Sequence, residues 1–244
     1  MPATITMIGG ISLTGIRLLI DTSKCIACKA CQVVCQQWHS LPSEDTNFTG
    51  TYQNPPDMSG ANLTVAKFFE IAALSKVKWL FFKDQCRHCE VPNCQQHCPF
   101  GAIIKQTDGI VRIDPDICNP AACSGSVNKP CQLACHYNIP KYMYVKDGSS
   151  VTTDMRKCDL CYNRFGNLSL PAASQKPSCE ATCPPGAIFS GDADTILIQA
   201  NDRVTYLQAN GFPNANVYPN QSGVGTLTHV IWVLTEDPAV YGLS

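Results

Sequence analysis

The hydrophobic positions of this chain fall into short runs separated by polar or turn-forming residues, with one longer exception near the end. I-R-L-L-I-D at residues 16–21 predicts a first strand. L-T-V-A-K-F-F-E-I at 63–71 and V-K-W-L-F-F at 77–82 predict two more, after a polar, proline-rich loop that opens at Leu41. A-I-I-K-Q-T-D-G-I-V-R-I-D at 102–114 alternates about Asp108-Gly109 and predicts a hairpin, and Lys141 to Asp154 repeats the pattern about Asp147-Gly148. The exception is Asp194 to Asn210. There Ile196, Ala200, Val204 and Leu207 share a helical face, Asp192 or Asp194 supplies a cap, and Gly211 ends the helix. T-H-V-I-W-V-L at 228–234 predicts a buried strand. Residues 1–20 are apolar, but Gly9, Gly10, Gly15 and Arg17 interrupt them and no cleavage site follows, so no targeting segment is expected. No uncharged apolar run elsewhere reaches the roughly 18 residues of a membrane span. A soluble chain is expected.

Cysteine fills the intervals. All 16 cysteines fall into four runs of four: Cys25, Cys28, Cys31, Cys35; Cys86, Cys89, Cys94, Cys98; Cys118, Cys123, Cys131, Cys135; and Cys158, Cys161, Cys179, Cys183. The first run, C-I-A-C-K-A-C-Q-V-V-C, has the bacterial ferredoxin ligand spacing, in which three thiolates hold one iron-sulfur cluster and the fourth reaches a second. An aspartate precedes the first cysteine by four residues in three runs (Asp21, Asp114, Asp154), placed to fix the turn into the loop. C-P-F-G-A-I after the second run and C-P-P-G-A-I after the fourth repeat a helix stop followed by a strand. The fold class is therefore α+β: tandem two-cluster ferredoxin-like modules of short hairpins and short helices, with an insertion and a C-terminal helix-strand extension. Residues 1–35 and 136–191 are expected to form an outer module, 86–135 an inner one, 36–85 the insertion and 192–244 the extension. The insertion is read as a packing element, a shield over clusters or a docking surface.

Sixteen thiols divide into four 4Fe-4S cubes. The second and third runs, joined by a hairpin, pair with each other, which leaves the first to pair with the fourth. The expected ligand sets are Cys25, Cys28, Cys31 with Cys183; Cys158, Cys161, Cys179 with Cys35; Cys86, Cys89, Cys94 with Cys135; and Cys118, Cys123, Cys131 with Cys98. The third run is stretched, with four residues between Cys118 and Cys123 and seven between Cys123 and Cys131, so a three-iron cluster or a displaced ligand stays open there. Zinc is the competing metal, but a zinc knuckle supplies two thiols where Cys25, Cys28 and Cys31 put three within seven residues. Disulfides suit much smaller secreted scaffolds. The formal charge of −1 counts thiols as protonated. Four loaded cubes add roughly eight negative charges, which removes the electrostatic basis for nucleic-acid binding. His39, His88, His97, His136 and His229 are expected to hydrogen-bond or pack rather than ligate iron. Lys29, inside the first run, is a candidate for tuning its cluster, whereas Arg87 is expected to be a solvated charge.

C-Q-Q-W-H after the first run, G-T-Y-Q-N-P-P-D-M-S, W-L-F-F-K-D-Q-C-R-H-C-E-V-P-N-C, K-C-D-L-C-Y-N-R and the ending T-H-V-I-W-V-L-T-E-D-P-A-V-Y-G-L together resemble the iron-sulfur beta subunit of formate dehydrogenases. These belong to the four-cluster subunits that accompany molybdenum or tungsten pterin oxidoreductases. The likeness runs from Arg17 onward. It implies a non-catalytic electron-transfer subunit with no substrate site of its own. Electrons from the pterin catalytic subunit would arrive at the cluster of Cys25, Cys28, Cys31 and Cys183 and leave by the inner pair towards a cytochrome or other acceptor. Membrane-bound members add a transmembrane helix after this ending, and this chain stops at Ser244. The resemblance therefore implies the periplasmic type, exported with its partner on a twin-arginine signal, with the cytoplasm as the alternative. Two features depart from the family: the stretched third run, and His136 where proline usually follows the fourth cysteine. The alternatives are the same relay for a polysulfide, thiosulfate or dimethyl sulfoxide reductase, and a free-standing polyferredoxin.

Overall fold

The first and last strands meet in one sheet. The structure, a computed structural model, describes residues 13–73, 76–123, 129–147 and 150–243. In chain order these form β1 (Ile16–Asp21), α1 (Ala30–Trp38), β2 (Val65–Ala73), β3 (Lys76–Asp84), α2 (Asn93–Gln96), β4 (Ile103–Lys105), β5 (Val111–Ile113) and α3 (Pro130–Leu133). There follow β6 (Lys141–Asp147), β7 (Ser150–Arg156), α4 (Ser178–Ala181), β8 (Ile188–Asp192), α5 (Ala193–Ala209), β9 (Asn216–Tyr218) and β10 (Val230–Leu234). The four-stranded sheet has the order β8-β1-β10-β9, with β1 parallel to β10 and antiparallel to β8. The remaining strands pair as the separate ribbons β2-β3, β4-β5 and β6-β7. The fold is thus the mixed α+β arrangement expected from the sequence.

Because β1 and β10 are covered on both faces, they read as unbroken apolar runs. Alternate residues go to opposite layers. Leu19, Ile231 and Val233 pack under α5 against Ile196, Ala200 and Leu207. Leu18, Ile20, Val230, Trp232 and Leu234 face the cysteine-bearing side, where Leu80 and Phe82 of β3, Ile110 and Leu160 complete the core. The α5 stripe falls where the periodicity puts it, and Asp192 is its cap, accepting from the Thr195 amide at 3.0 Å. Asp194 instead accepts from the Leu13 amide. Residues Thr228 and His229, read as strand, lie ahead of β10 because they serve the second cysteine run. His229 N donates to His88 O, and Thr228 bridges Cys89.

The hairpin at Asp108-Gly109 forms and docks on this sheet. Gly109 has φ +87°, and a Cβ there would lie 2.0 Å from the His229 ring, so both its conformation and its neighbour require glycine. The β6-β7 ribbon forms in the expected register from Lys141↔Arg156 to Asp147↔Ser150, while Gly148 of its turn lies outside the described residues. In the insertion, Phe69 and Phe82 of β2-β3 pack inward around Tyr241, and Tyr52, Phe68, Trp79 and Phe81 form an aromatic outer face. The inner half of the insertion is therefore a packing element.

Candidate metal centres

One local device recurs at the thiols. Two residues after the first cysteine of a run, the backbone turns left-handed at Ala27 (φ 53°), His88 (φ 48°) and Leu160 (φ 56°). In each case that residue's N–H points at the cysteine sulfur, at 3.5 Å for Cys25, 3.4 Å for Cys86 and 3.4 Å for Cys158. A second turn follows the last cysteine. Gly101, Asn138 and Gly186 are left-handed three residues on. The next amide then donates to sulfur: Ala102 to Cys98 (3.3 Å), Ile139 to Cys135 (3.5 Å) and Ala187 to Cys183 (3.3 Å). This is the physical content of the C-P-x-G-A-I repeat, since glycine, or asparagine at its cost, is what tolerates that backbone. His136 in place of proline leaves the turn intact. The third run departs at its start, where Pro120 stands two residues after Cys118 and has no N–H to give. Asp21 and Asp114 fix the turns as expected, accepting from Ser23 N (3.0 Å) and Asp116 N (3.1 Å). The side chain of Asp154 lies outside the described residues.

The spacing of three residues between the third and fourth cysteines of each run is one helical turn. Cys31 and Cys35 lie on α1, and α2, α3 and α4 carry Cys94, Cys131 and Cys179 one turn before Cys98, Cys135 and Cys183. Each short helix thus hands one thiol to its own group and the next thiol to a neighbouring group. A cavity is lined by Cys25, Cys28, Cys31 and Cys183, with Ile20, Ala66 and Ile188 among its apolar walls. Another is lined by Cys86, Cys89, Cys94 and Cys135, walled by Val111 and Ile139. Cys35 faces Cys158, Cys161 and Cys179. Cys98 faces Cys123 and Cys131, and packs with Cys118 around Ile103 and Val111. The groups abut in a row: Cys31 neighbours Cys179, Cys158 neighbours Cys86, and Cys94 neighbours Cys131.

Burial pushes the thiols of Cys31, Cys89, Cys94 and Cys161 up to about 12, and those of Cys35 and Cys158 up as well. At neutral pH such thiols are deprotonated only by a metal, so loading releases protons and is coupled to folding. Two buried lysines that the sequence reading missed stand among them. Lys83 (3% exposed) lines the first cavity and donates to Gln85 Oε1. Lys157 (5% exposed) lines the other cavity, lies 3.6 Å from Cys86 Sγ, and donates to the carbonyls of Val111 and Cys158. Burial alone would push Lys83 down, but thiolate neighbours, Cys179 first and then Cys31, Cys158 and Cys35, raise it above its ordinary value. That balance holds only while the sulfurs carry charge.

Arg87 is not solvated. It is 3% exposed, its guanidinium 4.5 Å from the Tyr137 ring centroid and 4.9 Å from that of Trp232, and it pairs with Asp84. Asp84 sits low enough in pKa to stay ionised: burial pushes it up, and Arg87 and Lys67 more than offset that. An arginine between two cysteines is buried here because the rings of Tyr137, Trp232 and, at 5.7 Å, Phe82 receive it together with a carboxylate. Lys29 borders the first cavity, but its ammonium is tied to the insertion, donating to Tyr52 O at 2.7 Å and lying 5.3 Å from the Phe68 ring centroid. All five histidines have hydrogen-bond partners. His39 meets Asp159 at 2.9 Å, His229 meets Glu90 at 2.9 Å, His88 Nδ1 accepts from Val111 N, His97 bonds Asn93 O, and His136 bonds the Asn93 amide.

All-sulfur donor sets, amides aimed at sulfur and two buried ammoniums that have, among the described residues, no carboxylate within hydrogen-bond distance fit an anionic thiolate cluster. The site defines a multi-cluster ferredoxin-type electron carrier. A 4Fe-4S dicluster domain family matches residues 77–193, and a second family of the same description matches residues 24–102. The chain is 40% identical to the nitrate-inducible formate dehydrogenase iron-sulfur subunit of Escherichia coli over 91% of this chain and 70% of that protein. It is 36% identical to the formate dehydrogenase-O iron-sulfur subunit of the same organism, over 91% and 68%. It is 34% identical to the formate dehydrogenase 2 subunit beta (cytochrome c-553) of Nitratidesulfovibrio vulgaris, over 91% and 94%. The chain belongs to the iron-sulfur subunits of formate dehydrogenases, the electron-transfer subunits of those oxidoreductases. No helix among the described residues is long and apolar enough to cross a membrane.

Proposed function

We propose that this chain passes electrons along four 4Fe-4S clusters between a molybdenum- or tungsten-pterin catalytic subunit that oxidises formate and a cytochrome or similar acceptor. The observation that carries this reading is the row of four abutting four-thiol groups. Each bound cluster would accept and release one electron without a bond being made or broken. Cys25, Cys28, Cys31 and Cys183 would hold the receiving cluster; Cys158, Cys161, Cys179 and Cys35 the next; Cys86, Cys89, Cys94 and Cys135 the third; and Cys118, Cys123, Cys131 and Cys98 the last. The protein's own part is to supply thiolates one helical turn apart, donate amides to sulfur and exclude water with apolar walls.

In this reading the outer module is residues 1–35 with 136–191, the inner one 86–135, with 36–85 inserted and 192–244 as the extension that closes the sheet. The acceptor parallels the cytochrome in the name of the N. vulgaris relative, and a periplasmic location fits that arrangement. Adding formate to the native complex, purified anaerobically, should bleach its brown colour, and mass spectrometry of the large subunit should find a pterin-metal protein. A complex that stays brown with formate but bleaches with another substrate would assign the relay to a different oxidoreductase. A chain that purifies alone would be a free polyferredoxin.

Lys29 is assigned a part in setting the receiving cluster's potential. Lys29→Ala should lower that potential in a redox titration followed by electron paramagnetic resonance, and no shift would refute the role. The bond from Lys29 to Tyr52 O makes the expected shift smaller than for a lysine buried against sulfur.

A further inference from the structure

Building on the relay reading, we propose that Lys83 and Lys157 are fixed counter-cations that flank the second thiol group and make its cluster the first to be reduced, an electron-holding centre in the middle of the row. Lys83 stands at the junction of the first and second groups, facing Cys31 on one side and Cys35, Cys158 and Cys179 on the other. Lys157 stands at the junction of the second and third, facing Cys86 and Cys94 on one side and Cys158 on the other. Cys158 is thus the thiol that both ammoniums face.

Among the described residues, neither lysine has a carboxylate within hydrogen-bond distance. Their bonds go to the Gln85 side chain, to the carbonyls of Val111 and Cys158, and, from Lys157, to Cys86 Sγ of the third group at 3.6 Å. Of the other charges near the thiols, Lys129 stands at the last group, bonded to Cys123 O, and those nearer the second group are matched or tied elsewhere. Arg87 is paired with Asp84, which also takes Lys67 at 2.7 Å. Asp159, beside the second group, is bonded to His39 at 2.9 Å. Lys29 is tied to the backbone of the insertion. A buried ammonium needs a compensating negative charge; the sulfur groups are the charges Lys83 faces, and for Lys157 the sulfurs of Cys86, Cys94 and Cys158 come ahead of the Asp159 carboxylate. Reduction adds one negative charge to a cluster, and two ammoniums in a medium of low polarity favour that form most where both act.

The test is an anaerobic redox titration of the purified, cluster-loaded protein with dithionite as electron donor, followed by electron paramagnetic resonance, with iron counted per chain. In the wild type, the signal that appears at the highest potential should be the one lost or altered in Cys161→Ser. Lys83→Met and Lys157→Met keep the side-chain volume and remove the charge. Each should lower the reduction equilibrium constant of that signal at least tenfold, which is about 59 mV for one electron. Lys83→Arg and Lys157→Arg should stay within a few-fold of wild type. Loss of iron in the Met variants with retention in the Arg variants also supports a counter-cation role.

Three outcomes overturn the proposal: unmoved potentials at full iron content, a highest-potential signal indifferent to Cys161→Ser, or equal loss of iron in the Met and Arg variants. An iron content in the wild type too low for four cubes would instead strike at the relay reading itself.

Discussion

Cys183→Ser is expected to cost the chain the cluster of its first cysteine run while sparing that of its fourth, although Cys183 belongs to the fourth run in sequence. Cys183 closes the cavity that Cys25, Cys28 and Cys31 line. Cys179, one helical turn earlier, faces Cys35 and Cys161 instead. Serine offers a harder oxygen ligand to a site built for sulfur, and the Ala187 amide that lies 3.3 Å from the Cys183 sulfur is left with a poorer partner. Iron should fall from about sixteen to about twelve atoms per chain if the cube is lost outright. In electron paramagnetic resonance, the signal altered by Cys25→Ser should change and that altered by Cys161→Ser should not. Cys179→Ser should give the reverse pattern. If Cys183→Ser instead perturbs the Cys161 signal, the pairing of the first and fourth runs is wrong.

Trp232→Ala is expected to destabilise the loaded protein by about 4 kcal/mol, in the range for removing a large buried aromatic side chain. Trp232 is fully buried in β10, stacked on Phe82 at a centroid distance of 5.0 Å, with the Arg87 guanidinium over its ring. Its Nε1 donates to Lys83 O at 3.0 Å. One side chain therefore ties the C-terminal strand to the stretch of β3 that delivers Lys83 to the first cavity and Arg87 to the second cysteine run. The truncation opens a cavity, orphans a buried carbonyl and loosens the seat of a buried cation. Trp232→Phe keeps most of the volume but not the hydrogen bond, and should cost about 1–3 kcal/mol. Urea unfolding followed by both far-ultraviolet circular dichroism and cluster absorbance checks this, and the two probes should shift together. If Trp232→Ala moves the midpoint no more than Trp232→Phe, the stacking account fails.

The cysteine runs were legible because ligand spacing is a local property. Three thiols two residues apart, and a fourth one helical turn later, can be read off a string. So can the Asp108-Gly109 hairpin and the α5 stripe, which depend on neighbours in sequence. Arg87 and Lys83 were not legible because their burial is decided by distant segments. Alternation along β3 puts Lys83 on the same face as Trp79, which is exposed, and so reads as solvated. Lys83 is instead buried because Ala66, its partner across the ribbon, and the first cysteine run close over it. Arg87 is buried by Tyr137 and Trp232, far along the chain in both cases. The strand predicted at 228–234 lost its first two residues for a similar reason, since His229 and Thr228 bond to the second cysteine run rather than to a ladder. The sheet joining β1 to β10 had no local signal beyond two apolar runs.

That sixteen thiols hold four cubes is tested most directly by counting iron and acid-labile sulfide per chain in anaerobically purified protein. About sixteen of each is the predicted result. A value near twelve, or zinc without sulfide, would contradict it.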